Sequence, residues 1–395
     1  MPQGLGVVRT DNFAADLAPD NKVTWQYHVK GIEEMVVSDV IAPPGGKPIV
    51  ALWDRTAFVI HDPDTYTATQ VHPEQFSTGW DVTYRPNDPR YIAVVSTNHQ
   101  DNANYSRYST DGGLTWQPFD SLANKTHPTN LRYGSIAAAY SGETYPNSLV
   151  WVTPFMTVPY YSLDGGATWQ ASNWIKDEKN KLIPTGFWNQ YFRWQGLIAD
   201  PWQEGAYFMH VKIHEGNAYL ARSVDGGKNW SIVSKGELPL YGHHAHLRAN
   251  PDVQGHLWYA NGVAEDQRGL WRSVNAGVTF EQLINVDAAA GIALGKAAPG
   301  SHYATLFLIG IVGGQEGVYR STDEGATWDF LTQFPLGYID QPWSISGDWD
   351  QFGVVYLGIG GSSFVIGREI IPEPSALGMM LLMSSTLMIR QRSGR

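Results

Sequence analysis

One turn-like motif recurs five times along this chain of 395 residues, and its spacing restricts the fold more than any other feature. The pattern is Ser-x-Asp-x-Gly-x-Thr-Trp. It is seen as Ser109-Thr110-Asp111-Gly112-Gly113-Leu114-Thr115-Trp116, and again with small variations at 162–169, 223–230, 273–280 and 321–328. Successive copies begin 53, 61, 50 and 48 residues apart. Repeats of about 50 residues, each flanked by β-rich runs, are the period of propeller blades. The third position is Asp111, Asp164, Asp225, Asn275 or Asp323. A short side chain there can accept hydrogen bonds from the backbone of its own loop. The glycines at 113, 166, 227, 277 and 325 permit the positive φ that a tight turn requires. The aromatic residue then opens the next strand and is expected to pack between neighbouring blades. We therefore assign these five side chains a structural role in the turn.

Strand-like runs outside the repeats raise the blade count. Residues 48–52 and 57–60 read as strands of a blade that lacks the motif, covering roughly 36–70. Late strands at 353–358 and 364–367 would join strands at 7–10 and 25–28 in a blade shared by both chain ends. Such closure removes exposed sheet edges. The expected fold is all-β: a seven-bladed β-propeller over residues 1–370, followed by a sorting or anchor segment with a short apolar helix over 371–395. Seven blades of about 50 residues account for roughly 350 residues. The 41 glycines and 23 prolines supply turns and leave little room for long helices.

Charge narrows the function classes. The formal net charge is −11, from 27 basic and 38 acidic residues. Nucleic acid, which selects clustered Lys and Arg, is disfavoured, and a neutral polysaccharide fits better. The chain has no cysteine, which excludes disulfides and thiolate metal sites. His243-His244-x-His246 would split across two faces of a strand and has no carboxylate at a telling spacing, so neither a metal nor a cofactor is expected.

The repeats resemble the Asp-box repeat shared by sialidases, sortilin-type receptors and several glycoside hydrolases. Three further stretches are similar to the second propeller of glycoside hydrolase family 74, the xyloglucanases. They are residues 31–44, with the sequence Gly-Ile-Glu-Glu-Met-Val-Val-Ser-Asp-Val-Ile-Ala-Pro-Pro; residues 293–300 running on to 319–323; and Ile345-Ser346-Gly347-Asp348 with residues 354–358. The resemblance covers about residues 5–367. It implies hydrolysis of a β-1,4-glucan such as xyloglucan with inversion, by two propellers that each supply one Asp across a cleft. Inversion needs one carboxyl to protonate the leaving oxygen and another to activate water.

The family's Gly-Asp-x-Gly-Gly-Phe-like context matches Trp53-Asp54-Arg55-Thr56-Ala57-Phe58. The resemblance therefore implies Asp54 as the general acid, although Trp53, Thr56 and Ala57 replace glycines. A family Asn-Gly-Arg-Gly-like segment stands here as Gly360-Gly361-Ser362-Ser363. The resemblance also implies a preceding propeller as the partner that carries the second carboxylate. Asp81 is a weaker candidate for that role within this chain, expected on the same face as Asp54; Asp39, Glu34 and Asp348 qualify by residue type alone. Aromatic side chains that could stack on sugar rings are Trp53, Trp80 and Trp343, with Trp188 and Tyr191 in Phe187-Trp188-Asn189-Gln190-Tyr191-Phe192-Arg193-Trp194. The alternative reading is a non-catalytic glycan-binding propeller at the cell surface.

The chain end carries an address. Pro372-Glu373-Pro374 precedes an apolar run over 375–389 and then Arg390, Arg392 and Arg395. This order resembles the Pro-Glu-Pro carboxy-terminal sorting signal of Gram-negative bacteria, which implies processing by an exosortase and display at the cell surface. The start, Met-Pro-Gln-Gly-Leu-Gly-Val-Val, has neither the basic nor the apolar region of an export signal. Upstream sequence is therefore expected.

Overall fold

The computed structural model describes strands 7–9 and 26–28 and residues 35–368, apart from 66, 74–75, 99, 155–157, 177–178, 184–194, 215–216, 237, 239–244, 263–268, 335–341 and 362. Seven antiparallel sheets follow one another along the chain as the blades of a β-propeller. Six have four strands in simple meander order from axis to rim, and the seventh has three. The inner strands are Val37–Ile41, Thr78–Arg85, Ser135–Ala138, Leu197–Ala199, His246–Ala249, Ala288–Gly295 and Pro342–Gly347. The only described helix is the single turn Asp120–Ala123, and the C-terminal segment expected to hold an apolar helix lies outside the described residues.

Alternation within each blade explains the core. Second strands such as Leu149–Val152 and Leu257–Ala260 are buried on both sides because each blade is sandwiched between two others. Trp151 and Trp258 are completely buried there. Full burial of a large apolar side chain contributes roughly 1.5–3 kcal/mol. The hydrophobic clusters accordingly run from blade to blade: one joins Ala137 and Val150 to Tyr207, Met209 and Leu247.

Ring closure differs from the expectation. Val7–Arg9 pairs with Gln26–His28 in a two-stranded sheet, and among the described residues neither strand pairs with the last blade. That blade draws its inner strand from Pro342–Gly347, which pairs with Val355–Ile359 and leaves no axial place for an N-terminal strand. The first and last blades are instead joined by packing and loop contacts. Val37, Val40 and Leu52 pack on Val354 and Tyr356. The Ala42 amide donates to Ser346 Oγ at 3.1 Å, and the Gly45 amide donates to the Asp350 carboxylate at 2.8 Å.

Strand alternation also sorts the connections onto two faces. Inner-to-second connections share a face with third-to-outer turns, and second-to-third turns share the opposite face with the blade-to-blade connections. All five repeated motifs are third-to-outer turns. Their shared face is confirmed by the Gly165 amide donating to Asn147 O (3.1 Å) and the Gly226 amide to Gly205 O (2.9 Å), both in inner-to-second connections.

Within each motif the acidic side chain binds its own turn. Asp111 Oδ1 accepts from Ser109 Oγ (2.7 Å) and the Thr115 amide (2.9 Å), while Oδ2 accepts from Thr115 Oγ1 at 2.6 Å. Asp164 and Asp323 repeat this pattern with Thr168 and Thr327. In Asp225 an amide side chain, Asn229, takes the place of threonine. Asn275 accepts from the Thr279 amide at 3.0 Å and donates from Nδ2 to Thr279 Oγ1 at 2.8 Å, so the turn survives loss of the charge. The hydrogen bond from Thr115 is the main reason the Asp111 carboxyl is pulled down to about 2.

Candidate functional site

Asp54 sits in the turn between Ile49–Leu52 and Thr56–Asp62, on the face opposite the repeated motifs. Both Asp54 (φ 64°) and Thr56 (φ 60°) adopt the left-handed backbone region. For a β-branched residue such as Thr56 this conformation is strained and persists only where neighbours impose it. Those neighbours are visible. The Trp53 amide donates to Val36 O (2.9 Å), the Thr56 amide to Ser77 O (2.7 Å) and the Asp54 amide to Thr78 Oγ1 (3.3 Å). Thr56 Oγ1 is hydrogen-bonded to Ser77 Oγ, and Ser96 Oγ donates to Ser77 Oγ at 3.0 Å. These contacts fasten the turn to the second blade.

Gly79 makes room for that fastening. A β-carbon at 79 would lie 1.8 Å from Thr56 O, so no other residue fits without moving the Asp54 turn. Thr56 thus holds a conformation glycine favours, and a buried row of hydroxyls keeps it there.

Three of the five predicted aromatic residues lie on this face, on adjacent blades. The Trp53 and Trp80 rings are 6.0 Å apart, and Trp80 meets Tyr133 edge-on at 5.1 Å. Trp343 begins the inner strand of the last blade and packs across Gly360, where a β-carbon would approach its ring to 2.6 Å. Trp53 and Trp343 are half-buried and present ring surface, whereas Trp80, at 7% exposed, supports its neighbours from below. Trp188 and Tyr191 lie outside the described residues, as does Glu34. Sequence reasoning missed Tyr133 and Asn102: the Tyr133 hydroxyl donates to Asn102 Oδ1 at 2.8 Å, bracing the wall beside Trp80. Their positive φ values, 60° and 58°, are the local feature that distinguishes them, and the sequence carries no mark of it.

Asp81 does not join Asp54. A register shift between Gly79 and Asp81 turns its side chain into the axial channel, where it meets Asp39 of the preceding blade. Asp81 Oδ2 accepts from Ser135 Oγ and from the Ile136 amide, both at 2.7 Å. Asp39 accepts from the Val40 amide (2.8 Å), the Val82 amide (3.3 Å) and Gln195 Nε2. Arg248 completes the chain by donating to Gln195 Oε1 and to Leu247 O at 2.9 Å. Five consecutive blades therefore meet through side chains at the axis. Burial, reinforced by the Asp81 charge, pushes the Asp39 carboxyl well above the usual range, and burial also raises Asp81. Two contacting carboxyls disfavour double ionisation, while the Arg248 guanidinium beside them attracts charge onto both.

The other candidates have structural partners. Asp348 accepts from the amides of Asp350 (2.7 Å) and Gln351 (2.8 Å) and from the Tyr356 hydroxyl (2.8 Å), which fixes a corner of the last blade. His246 is fully buried at the start of an inner strand, while His243 and His244 lie outside the described residues. No cluster of three metal-ligating side chains occurs among the described residues.

Fold and turns together define an Asp-box β-propeller. The BNR/Asp-box repeat model matches residues 107–118 and 160–171. Across most of its length the chain is similar to xyloglucanases of glycoside hydrolase family 74. A xyloglucanase of a Paenibacillus species is 30% identical over 356 residues, covering 89% of this chain and 32% of the relative. The crystal structure of the family 74 enzyme of Niastella koreensis superposes with a TM-score of 0.68 at 25% identity, over 89% of this chain and 46% of that one. The family 74 xyloglucanase of Xanthomonas campestris shares the fold with a TM-score of 0.71 at 23% identity, over 92% and 47% of the two chains. The chain thus spans about a third to a half of the length of these relatives.

Proposed function

We propose that this propeller is a glycoside hydrolase module acting on xyloglucan or a related β-1,4-glucan, with Asp54 as the general acid of an inverting cleavage. The observation that carries the reading is the setting of Asp54. It is the position implied by the family resemblance, and it stands in a rigidly fastened turn next to the half-buried Trp53, on the face that also carries Trp343. A carboxylic acid held at fixed height beside aromatic surface suits protonation of a glycosidic oxygen while the rings support the sugar.

The second carboxylate is assigned to a surface beyond the described residues, in keeping with a partner propeller across a cleft. The test is reducing-sugar release from xyloglucan by the intact protein, with the anomer of the first-formed product read by NMR. We expect the α-anomer, and a loss of about 10³-fold in kcat for Asp54→Ala. Retained activity in that variant removes Asp54 from the mechanism.

A second reading is favoured by one observation: the described candidates for a second carboxylate, Asp39, Asp81 and Asp348, are each hydrogen-bonded within the propeller. On that reading the propeller binds the glycan without cleaving it, and the intact protein retains xyloglucan but releases no reducing sugar.

We further infer that residues 371–395 form a segment separate from the propeller, processed by an exosortase for display at the surface of a Gram-negative cell. The order of Pro372-Glu373-Pro374, apolar run and arginines supports this. Deleting 371–395 should move the protein from the cell-surface fraction to the medium or periplasm. An unchanged distribution would count against the signal.

A further inference from the structure

The axial channel holds a cavity of about 400 Å³ that no part of the proposed hydrolysis uses. It opens on the Asp-box face, away from Asp54. Its rim is built from residues just beyond the ends of inner strands: Pro44, Pro86, Pro201, Pro251 and Trp349. Its floor is polar and comes from four different blades: Asp39, Asp81, Gln195 and Arg248.

Each part has a chemical consequence. The floor sets the Arg248 guanidinium against the carboxyls of Asp39 and Asp81, so neither sign of charge stands there unopposed. A charged ligand would have to lose its hydration there without gaining an opposite charge. The floor is nevertheless rich in directed polar groups. The Arg248 guanidinium has more N–H donors than its two contacts to Leu247 and Gln195 use, and it remains partly exposed. Beside it lie carboxyl oxygens able to accept. A hydroxyl both donates and accepts, so a pair of adjacent hydroxyls satisfies an arginine and a carboxylate together without bringing charge.

The rim complements this. Proline rings and the Trp349 indole offer apolar surface without conformational freedom to lose. The Trp349 indole and the Tyr84 ring lie together at the mouth. A concave site with mostly apolar walls and a few convergent polar groups is the usual form of a small-molecule pocket, and this volume falls within the usual range of about 300–1,000 Å³.

We propose that the axial pocket binds a neutral pyranose, with hydroxyls on the floor and an apolar ring face against the rim. This site lies on the opposite face from Asp54 and is independent of whether Asp54 is catalytic.

The test is a saturation-transfer NMR titration of the intact protein with D-glucose, with glucuronate and glucosamine as charged comparators. To silence the other face, it is run in a Trp53→Ala background. We expect saturable glucose binding, at least tenfold weaker binding of both charged sugars, and at least a tenfold loss of glucose affinity in Trp349→Ala and in Arg248→Met. Because Arg248→Met leaves the Asp39 and Asp81 carboxyls without their cation, the rim variant Trp349→Ala keeps the test decisive if that protein does not fold. Absence of saturable glucose binding, tighter binding of either charged sugar, or affinity unchanged in Trp349→Ala would each overturn the proposal. Xyloglucan hydrolysis is measured separately on the wild-type protein, so failure at one face is distinguishable from failure at the other.

Discussion

The Asp-box turns and the Asp54 turn are both tight hairpins with an acidic residue at the bend, yet they are held in opposite ways. In the boxes the acidic side chain is the fastening: Asp111 accepts from Ser109 and Thr115 of its own loop. The Asp54 turn is fastened from outside, through backbone amides and through the hydroxyls of Thr56, Ser77, Thr78 and Ser96. A carboxylate that secures its own loop is committed there. A turn secured by its neighbours does not depend on its own carboxylate to hold its shape. The axial pair gives a third case, in which burial rather than local hydrogen bonding governs the acid.

The largest effect should come from disturbing the outside fastening. Gly79→Ala puts a β-carbon into the Thr56 carbonyl and leaves only backbone movement as relief. We expect a loss of about 3 kcal/mol or more in stability by denaturant unfolding, since overpacking against backbone lies at the upper end of such effects. A loss below 1 kcal/mol would mean that the turn adapts and is not rigidly placed.

Removing one box carboxylate should cost less. Asp164→Ala deletes acceptors for the Thr168 amide and hydroxyl and for Ser162. At about 1 kcal/mol per hydrogen bond, partly replaced by water in an exposed turn, the expected loss is about 1–2 kcal/mol. Asp164→Asn should recover most of it, as Asn275 does naturally in the fourth copy.

The two acid environments predict opposite pH trends. For Asp164, Asp225 and Asp323 burial works upward, but hydrogen bonds from Thr168, Asn229 and Thr327 outweigh it and lower the carboxyl; Asp111 is lowered to about 2. A folded value below the unfolded one gives stability that is present above about pH 4 and lost as pH falls towards 2. Asp39 behaves in reverse, since its raised value makes the ionised form costly in the folded state. Its contribution is full below about pH 4 and is lost as pH rises towards its folded value. Asp39→Asn, which mimics the protonated form, should therefore gain stability relative to the parent as pH increases above 4. Thermal melts across pH 3–9 would register this as a diverging pair of curves, and parallel curves would deny the raised Asp39 carboxyl.

What the sequence made legible follows the same division. The box turns could be read residue by residue because every partner lies within six positions of the acid. The first blade was also visible, since residues 48–52 and 57–60 coincide closely with Ile49–Leu52 and Thr56–Asp62. Closure was misread because Val7–Arg9 and Gln26–His28 have good strand composition, and composition does not say which edge a strand will join. The axial cluster was invisible for a stronger reason. Asp39, Asp81, Gln195 and Arg248 converge from four blades, and no local pattern relates them. Asp81 was noticed for its chemistry and expected on the wrong face, because the register shift after Gly79 has no sequence mark other than the glycine itself.

The contrast between the two hairpins can be decided by one paired measurement. Asp54→Asn and Asp111→Asn are made in the intact protein, and each is assayed for both melting temperature and xyloglucan hydrolysis. Asparagine tolerates the left-handed backbone at 54 and keeps the size of both side chains. Hydrolysis should fall about 10³-fold in Asp54→Asn with the melting temperature unchanged, while Asp111→Asn should retain hydrolysis and melt at the same or a slightly lower temperature. Full hydrolysis in Asp54→Asn, or its loss in a folded Asp111→Asn, would contradict the division of labour between the two faces.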